Sequence, residues 1–132
     1  MNSLDSITFL NLEEVLYIHK LQIESYGGSD GLRDMGLLQS AISMPEATFG
    51  GAFMHESIFD MAAAYAFHIA ENQPFIDGNK RTALASALVF LDINSIEIDD
   101  PQEALYQAMI NIATKKLDKK GLAQLLQSMR AD

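Results

Sequence analysis

Apolar positions crowd two long stretches in the middle of the chain. Residues 57–72, SIFDMAAAYAFHIAEN, and 79–94, NKRTALASALVFLDIN, are hydrophobic on almost every helical side. A helix of that kind is buried among other elements rather than laid over a surface. Each stretch would span about 24 Å as a helix. Ala62, Ala63 and Ala66 on one, with Ala83 and Ala87 on the other, are small enough to let the two approach closely.

The pattern predicts further helices around this pair. Asn11 is placed to cap a helix, with Glu14 three residues on as its capping-box partner and an apolar pattern running to about Tyr26. GGSDGLRD at 27–34 reads as a loop. A shorter helix covers 35–44, ended by Pro45. The Gly50-Gly51 pair in EATFGGAFMHE suits a hairpin or a flap. Asp100 and Pro101 read as the N-cap and first position of a fifth helix to about Ala113, and a last helix runs from about Asp118 to Met129. Only SIEI after Asn94 hints at extended structure, and no internal repeat or low-complexity segment is present. The expectation is a single all-α domain over residues 1–132, a compact bundle of about six helices with a short flap or hairpin.

Composition narrows the class of function. A chain of 132 residues with 48% hydrophobic content can bury a real core. The formal net charge of −9 argues against gripping nucleic-acid backbones, so no direct nucleic-acid partner is expected. KKLDKK (Lys115, Lys116, Lys119, Lys120) and EIDDPQE at 97–103 read as solvated surface. There is no cysteine, which removes disulfides, thiolate chemistry and Cys-type zinc sites. The start of the chain, MNSLDSITFLNLEEV, has no basic region of a signal peptide, and Asp60 and His68 interrupt the longest apolar stretch. A soluble cytoplasmic protein with no membrane partner is expected.

The chemistry concentrates between the two apolar helices. QPFIDG at 73–78 joins them, and Lys80 and Arg81 occupy the opening turn of the second. A helix N-terminus already carries partial positive charge, so cations there are unfavourable by about 0.3–1 kcal/mol. An anionic ligand offsets that repulsion. Unpaired backbone N–H groups, Gly78, Asn79 and two cations together make an anion site, and Asp77 could hold Mg²⁺ beside phosphates. The other reading has Lys80 and Arg81 pointing to solvent and Asp77 simply capping the helix. Spacing alone leaves both open. His19, His55 and His68 have no metal-ligand spacing, and His68 reads as a core histidine paired to a neighbour; His55, near the flap, is the more interesting of the rest.

QPFIDGNKRTA resembles the signature of the Fic/Doc family, H-P-F-x-[DE]-[GA]-N-x-R, and its Asn-Lys-Arg-Thr-Ala variant is similar to the Doc (death-on-curing) toxin branch. LRDMGLLQSAISMPEATFGG, AAAYAFHIAENQPFIDGNKRTALASALVFLDIN and IATKKLDKKGLAQLL extend the likeness over nearly the whole chain. The resemblance implies a Fic-type helical fold that takes ATP and Mg²⁺ and modifies a hydroxyl on a target protein. It places Asp77 on Mg²⁺, makes Gly78 and Asn79 the phosphate cradle, and has Lys80 and Arg81 neutralise phosphate charge. Residues 46–55 would correspond to the flap that positions the target. In the Doc branch the target is a threonine of elongation factor Tu.

Two departures matter. AMP-transferring members carry a second arginine where this chain has Leu84, as Doc-type toxins also lack it; Leu84 therefore favours transfer of the γ-phosphate over AMP transfer (AMPylation). The family's catalytic histidine falls at Gln73, and an amide is not a base at any working pH. Losing a general base typically costs 10²–10⁴-fold, although glutamine can orient a hydroxyl or water. The readings that stay open are a weakened or repurposed enzyme, a catalytically silent nucleotide- or antitoxin-binding module, and an inactivated form of a toxin. Self-inhibited members carry [ST]-x-x-x-E-[GN]; here Glu71-Asn72 is preceded by Phe67 in the Ser/Thr place, so control is expected from a separate antitoxin protein.

Overall fold

The computed structural model describes residues 6–131. Among these, six helices and one two-stranded hairpin follow in order: α1 Leu12–Tyr26, α2 Met35–Ser43, β1 Thr48–Phe49, β2 Ala52–Phe53, α3 Ile58–Asn72, α4 Asn79–Ile93, α5 Ala104–Ala113 and α6 Lys119–Ser128. The architecture is all-α, as the apolar periodicity implies. No helix among the described residues is long and apolar enough to cross a membrane.

The two apolar helices form the centre. α3 packs most extensively on α4 and also touches α2, α5 and α6, while α1 lies against α4. Ala62, Ala63, Ala66, Ala83 and Ala87 are fully buried, so the small residues do face inward. Burying an apolar side chain is worth roughly 1.5–3 kcal/mol for the larger residues, and Tyr65, Phe75, Phe90, Met61 and Leu91 supply that area here. Tyr65 keeps a polar partner in this core: its hydroxyl accepts from Leu10 N at 2.8 Å. Its ring lies 5.0 Å from that of Phe90, and Phe9 stacks on Phe90 at 5.7 Å.

Helix starts follow local chemistry. Asn11 and Glu14 form the full capping box at α1, and Asp34, Ser57 and Asp118 cap α2, α3 and α6 through their side chains. Gly50 and Gly51, both with positive φ (62° and 85°), turn the hairpin, whose register pairs Thr48 with Phe53 and Phe49 with Ala52. Phe53 anchors this flap on Phe9 at 5.6 Å, whereas Phe49 is 84% exposed.

The fifth helix starts later than its sequence suggests. Asp100 and Pro101 were expected as N-cap and first position, yet α5 begins at Ala104 after Glu103 in the left-handed region (φ 53°). Asp100 still caps it, at a distance. Its two carboxylate oxygens accept from Ala104 N at 2.8 Å and Leu105 N at 2.9 Å, which holds the intervening residues in a turn. SIEI pairs only briefly with the C-terminus, through the Ile98–Arg130 bridge and Asp99 N to Met129 O at 2.8 Å.

Candidate functional site

The segment between α3 and α4 is fastened from several sides. Gln73 closes α3 in a left-handed conformation (φ 46°, ψ 57°), uncommon for a residue other than glycine. The Arg33 guanidinium stabilises it, with Nε donating to the Gln73 carbonyl at 2.8 Å and Nη2 to the Asn72 carbonyl at 2.9 Å. The Pro74 carbonyl accepts from Arg33 N (2.7 Å) and Asp34 N (3.0 Å), and Ile76 N donates to Gly31 O at 3.0 Å. Phe75 is the apolar anchor, 1% exposed. The Asn79 side chain binds both its backbone groups, accepting from Phe75 N at 2.9 Å and donating to Phe75 O at 3.0 Å.

His19 completes the support. Its ring stacks on Phe75 at 3.8 Å with 5° between planes. Its Nε2 lies 2.9 Å from the Asp77 carbonyl, which can only accept, so Nε2 carries the hydrogen. The Asp77 carboxylate accepts from Ser29 N (3.1 Å) and Gly78 N (2.9 Å). A side chain at Gly28 would place a Cβ 2.7 Å from Asp77 Oδ2, so glycine there makes room for the carboxylate. Gly78 has φ 76°, and α4 has no side-chain cap.

Gln73, Asp77, Gly78, Asn79, Lys80 and Arg81 all line one cavity of about 360 Å³, together with Tyr26 and Tyr106. Every residue singled out between positions 73 and 81 is thus brought to a single opening. Lys80 and Asp77 are exposed there. Arg81 lies flat between two aromatic rings, its Cζ 3.8 Å from the Tyr26 centroid and 4.2 Å from that of Tyr106. Cation–π contacts of this kind contribute about 0.5–2 kcal/mol while leaving the guanidinium charged. Leu84 lies one turn further along α4 and lines an adjoining groove rather than the cavity.

Several expectations change in detail. The Asn79 side chain is spent on the Phe75 backbone, so a cradle role falls to its N–H rather than its amide. No residue of the flap 46–55 lines the cavity. His55 turns instead toward α6, where Lys119 Nζ lies 3.2 Å from His55 Nε2 and 3.2 Å from His68 Nε2. The lysine run is not simply solvated surface. Lys115 pairs with Glu71 at 2.8 Å, Lys120 with Asp60 at 3.2 Å, and Lys119 is half-buried. Glu71 is therefore held by Lys115, and Asn72 donates to Leu37 O at 3.0 Å. Sequence reasoning passed over His19 and Arg33. The signal for His19 was its place beside Val15 and Ile18 on the buried face of α1; Arg33 sits in a loop and left none.

Known proteins supply the context for this geometry. The Fic/DOC family profile matches residues 9–91. The chain belongs to the Fic/DOC family. It is 34% identical to a protein named Toxin Doc of Mycolicibacterium smegmatis over 125 residues, covering 93% of this chain and 94% of that one. It is 32% identical to Protein kinase doc of Escherichia phage P1 over 117 residues, covering 89% and 91%. The matched span reaches from the residues just before α1 through most of α4, so the fastened loop and the cavity residues up to Arg81 fall inside the family region.

Proposed function

We propose that this chain is a Doc-type toxin that transfers the γ-phosphate of ATP to a hydroxyl of a translation factor such as elongation factor Tu, at a rate weakened by Gln73. One observation carries the reading: Gln73 and Asp77 to Arg81 converge on one cavity at an N-terminus of a helix that no side chain caps. Oriented N–H groups and two cations favour phosphate there. Mg²⁺ takes one or two carboxylates and completes its shell with phosphate and water. Asp77 fits that demand, since its oxygens accept only one N–H each and retain free lone pairs.

The residues then divide the work. Asp77 would hold Mg²⁺, the Asn79 N–H would donate to phosphate oxygens, the Gly78 N–H would join it on leaving its acceptor Asp77 Oδ1, 2.9 Å away, and Lys80 and Arg81 would balance the phosphate charge. Mg²⁺ supplies charge neutralisation on the phosphates when bound. Gln73, held at the rim by Arg33, would orient the target hydroxyl without taking its proton. Leu84 in the groove leaves no second arginine in the cavity, which favours γ-phosphate over AMP transfer.

Calorimetry with Mg²⁺-ATP, then label incorporation from γ-labelled against α-labelled ATP, tests the reading. Binding is expected in the native chain and lost in Asp77→Ala plus Arg81→Ala; equal affinity in that pair sinks the site. Label from the α position would establish AMP transfer instead. Binding without transfer of either label, and no gain from Gln73→His, favours the silent binding module, a reading that rests on Gln73 itself.

A separate antitoxin is part of the same proposal. A groove of about 310 Å³ between α1, α4 and α5, lined by Leu84, Ala85, Leu88 and Ile98, shares Tyr26, Arg81 and Tyr106 with the cavity. Exposed Leu21, Val89 and Ile93 on α1 and α4 add apolar surface on these helices. An antitoxin segment folding into this groove would lie against the Arg81 stack. Co-expression with the neighbouring reading frame, followed by pull-down, should recover a complex that Leu88→Glu abolishes.

A further inference from the structure

A second cavity, of about 410 Å³, opens where the flap meets α3 and α6, and none of the phosphate-site residues lines it. His55 and Glu56 come from the flap side, Asp60 from α3, and Lys119 and Lys120 from α6. The lysines at and just before the start of α6 differ in how their charge is met. Lys115 and Lys120 each reach a carboxylate. Asp60, the carboxylate nearest in this cluster, is already committed to Lys120 at 3.2 Å and to the Ser57 hydroxyl at 2.8 Å. Among the described residues Lys119 forms no ion pair; it points at two imidazoles instead, with the Phe67 ring 5.8 Å away.

Both imidazole Nε2 atoms lie 3.2 Å from Nζ, and an ammonium can only donate to them. The two rings are therefore neutral where they meet the lysine. Burial holds His68 down at about 4, with Lys119 and His55 adding to the effect and Glu71 opposing it. Burial likewise lowers His55, and Lys119 adds to it. Lys119 itself is lowered from its ordinary value, first by burial, with Asp60 acting the other way. An amine has three hydrogens only when charged. Here two have fixed acceptors, and the third position is the one that becomes a lone pair on deprotonation. The aliphatic stem is half-buried, the head is oriented, and the cavity provides access.

We propose that Lys119 is a modification site: a nucleophilic amine that takes acyl groups from activated acyl donors, the chemistry shared by acyl phosphates and acyl thioesters. The neutral Nζ attacks the acyl carbonyl carbon and forms a C–N bond. The C–O bond to phosphate, or the C–S bond to the thiol, breaks and its electron pair leaves with that group. The nitrogen's surplus proton passes to solvent at the cavity mouth. No electrons are exchanged with any other group. The product amide is uncharged and retains one N–H, so it can serve only one of the two imidazoles. Acylation thereby loosens the tie between His55 at the base of the flap and α6, and this follows whether or not the phosphate site works as proposed.

The test uses the full chain and acetyl phosphate, with acetyl thioester as a second arm, in mildly alkaline buffer. Peptide mapping by mass spectrometry follows each lysine with time. Lys119 is expected to acetylate several-fold faster than the exposed Lys20, Lys115 and Lys116, and to lose that lead in urea, where folding no longer sets its surroundings. His68→Gln should slow Lys119 alone. A native Lys119 that reacts no faster than the exposed lysines overturns the proposal, whatever the fate of the variant, because the comparison between native and unfolded chain needs no substitution. Labelling by one donor and not the other identifies the source.

Discussion

Two cations in this molecule lie against pairs of rings, and the pairs differ in kind. Arg81 is sandwiched between Tyr26 and Tyr106 at the rim of the phosphate-type cavity. Lys119 is held between His55 and His68 under the flap. A guanidinium keeps its proton in any protein environment, and phenol rings stabilise it through their faces without taking a hydrogen. An ammonium is a compact charge whose pKa falls when burial removes water, and imidazoles offer lone pairs to its hydrogens. The first arrangement stores a permanent charge for an anionic ligand. In the second, burial lowers the cost of losing one. Similar ingredients therefore lead to opposite chemistry, and the burial of an ammonium in place of a guanidinium makes the difference.

The comparison can be broken most sharply at Gln73. If the loop holds its geometry for catalysis, Gln73→His should place a base of ordinary pKa near 6.5 at the cavity and raise γ-phosphate transfer by about 10²-fold or more. Expression should then be toxic without an antitoxin. The rate with γ-labelled ATP, native against variant, measures this; no gain would mean that the site has drifted by more than one residue. The same substitution should leave the acetylation rate of Lys119 unchanged, because residue 73 is absent from the second cavity.

A smaller effect is expected from the loop's supports. Asn79→Ala leaves both backbone groups of Phe75 without their partner. Orphaning partly buried backbone groups costs about 1–3 kcal/mol, so the urea midpoint should fall clearly, and with it the affinity for Mg²⁺-ATP. Arg33→Ala removes two bonds from an exposed guanidinium and should cost less, about 1 kcal/mol. Its sharper readout is catalytic: with Gln73→His in place, Arg33→Ala should lower the transfer rate while ATP affinity holds, because it frees residue 73 and not the phosphate cradle.

The smallest expected effect is the dependence of stability on pH at the second region. In the unfolded chain His68 titrates near its ordinary 6.5, whereas burial holds it at about 4 in the fold. The unfolded state therefore binds the proton first, so stability falls as pH drops from 6.5 toward about 4, and this group adds no slope above 6.5. His55, also lowered, acts in the same direction. His68→Gln should flatten the fall in urea midpoint across that window, while Arg33→Ala should leave the slope as it is. A slope unchanged in His68→Gln would show that the histidine pair does not govern acid sensitivity.

Much of the fold was legible from local rules because each rule acts within a few residues. The capping box at Asn11 and Glu14, the turn at Gly50-Gly51 and the all-round apolar character of α3 and α4 need no knowledge of the rest of the molecule. The start of α5 was misread for an equally local reason. Asp100 beside Pro101 satisfies the rule for an N-cap, but its carboxylate instead reaches N–H groups four and five residues on.

What the sequence by itself determined is the helical class, the contiguous run from Gln73 to Arg81 and, through that run, membership of the Fic/DOC family. Contiguous residues at a helix start must share one end of that helix, but the cavity they line is completed by Tyr26 and Tyr106 from other helices. Only the tertiary structure decided who holds that run in place and what lies elsewhere. His19 reaches Asp77 across 58 positions, Arg33 reaches Gln73 across 40, and Lys119 meets His55 and His68 across 64 and 51. No periodicity or spacing encodes such contacts. They arise when burial of the apolar faces packs α1 on α4 and α3 on α6, and the same burial removes the water that would otherwise keep Lys119 an ordinary surface charge.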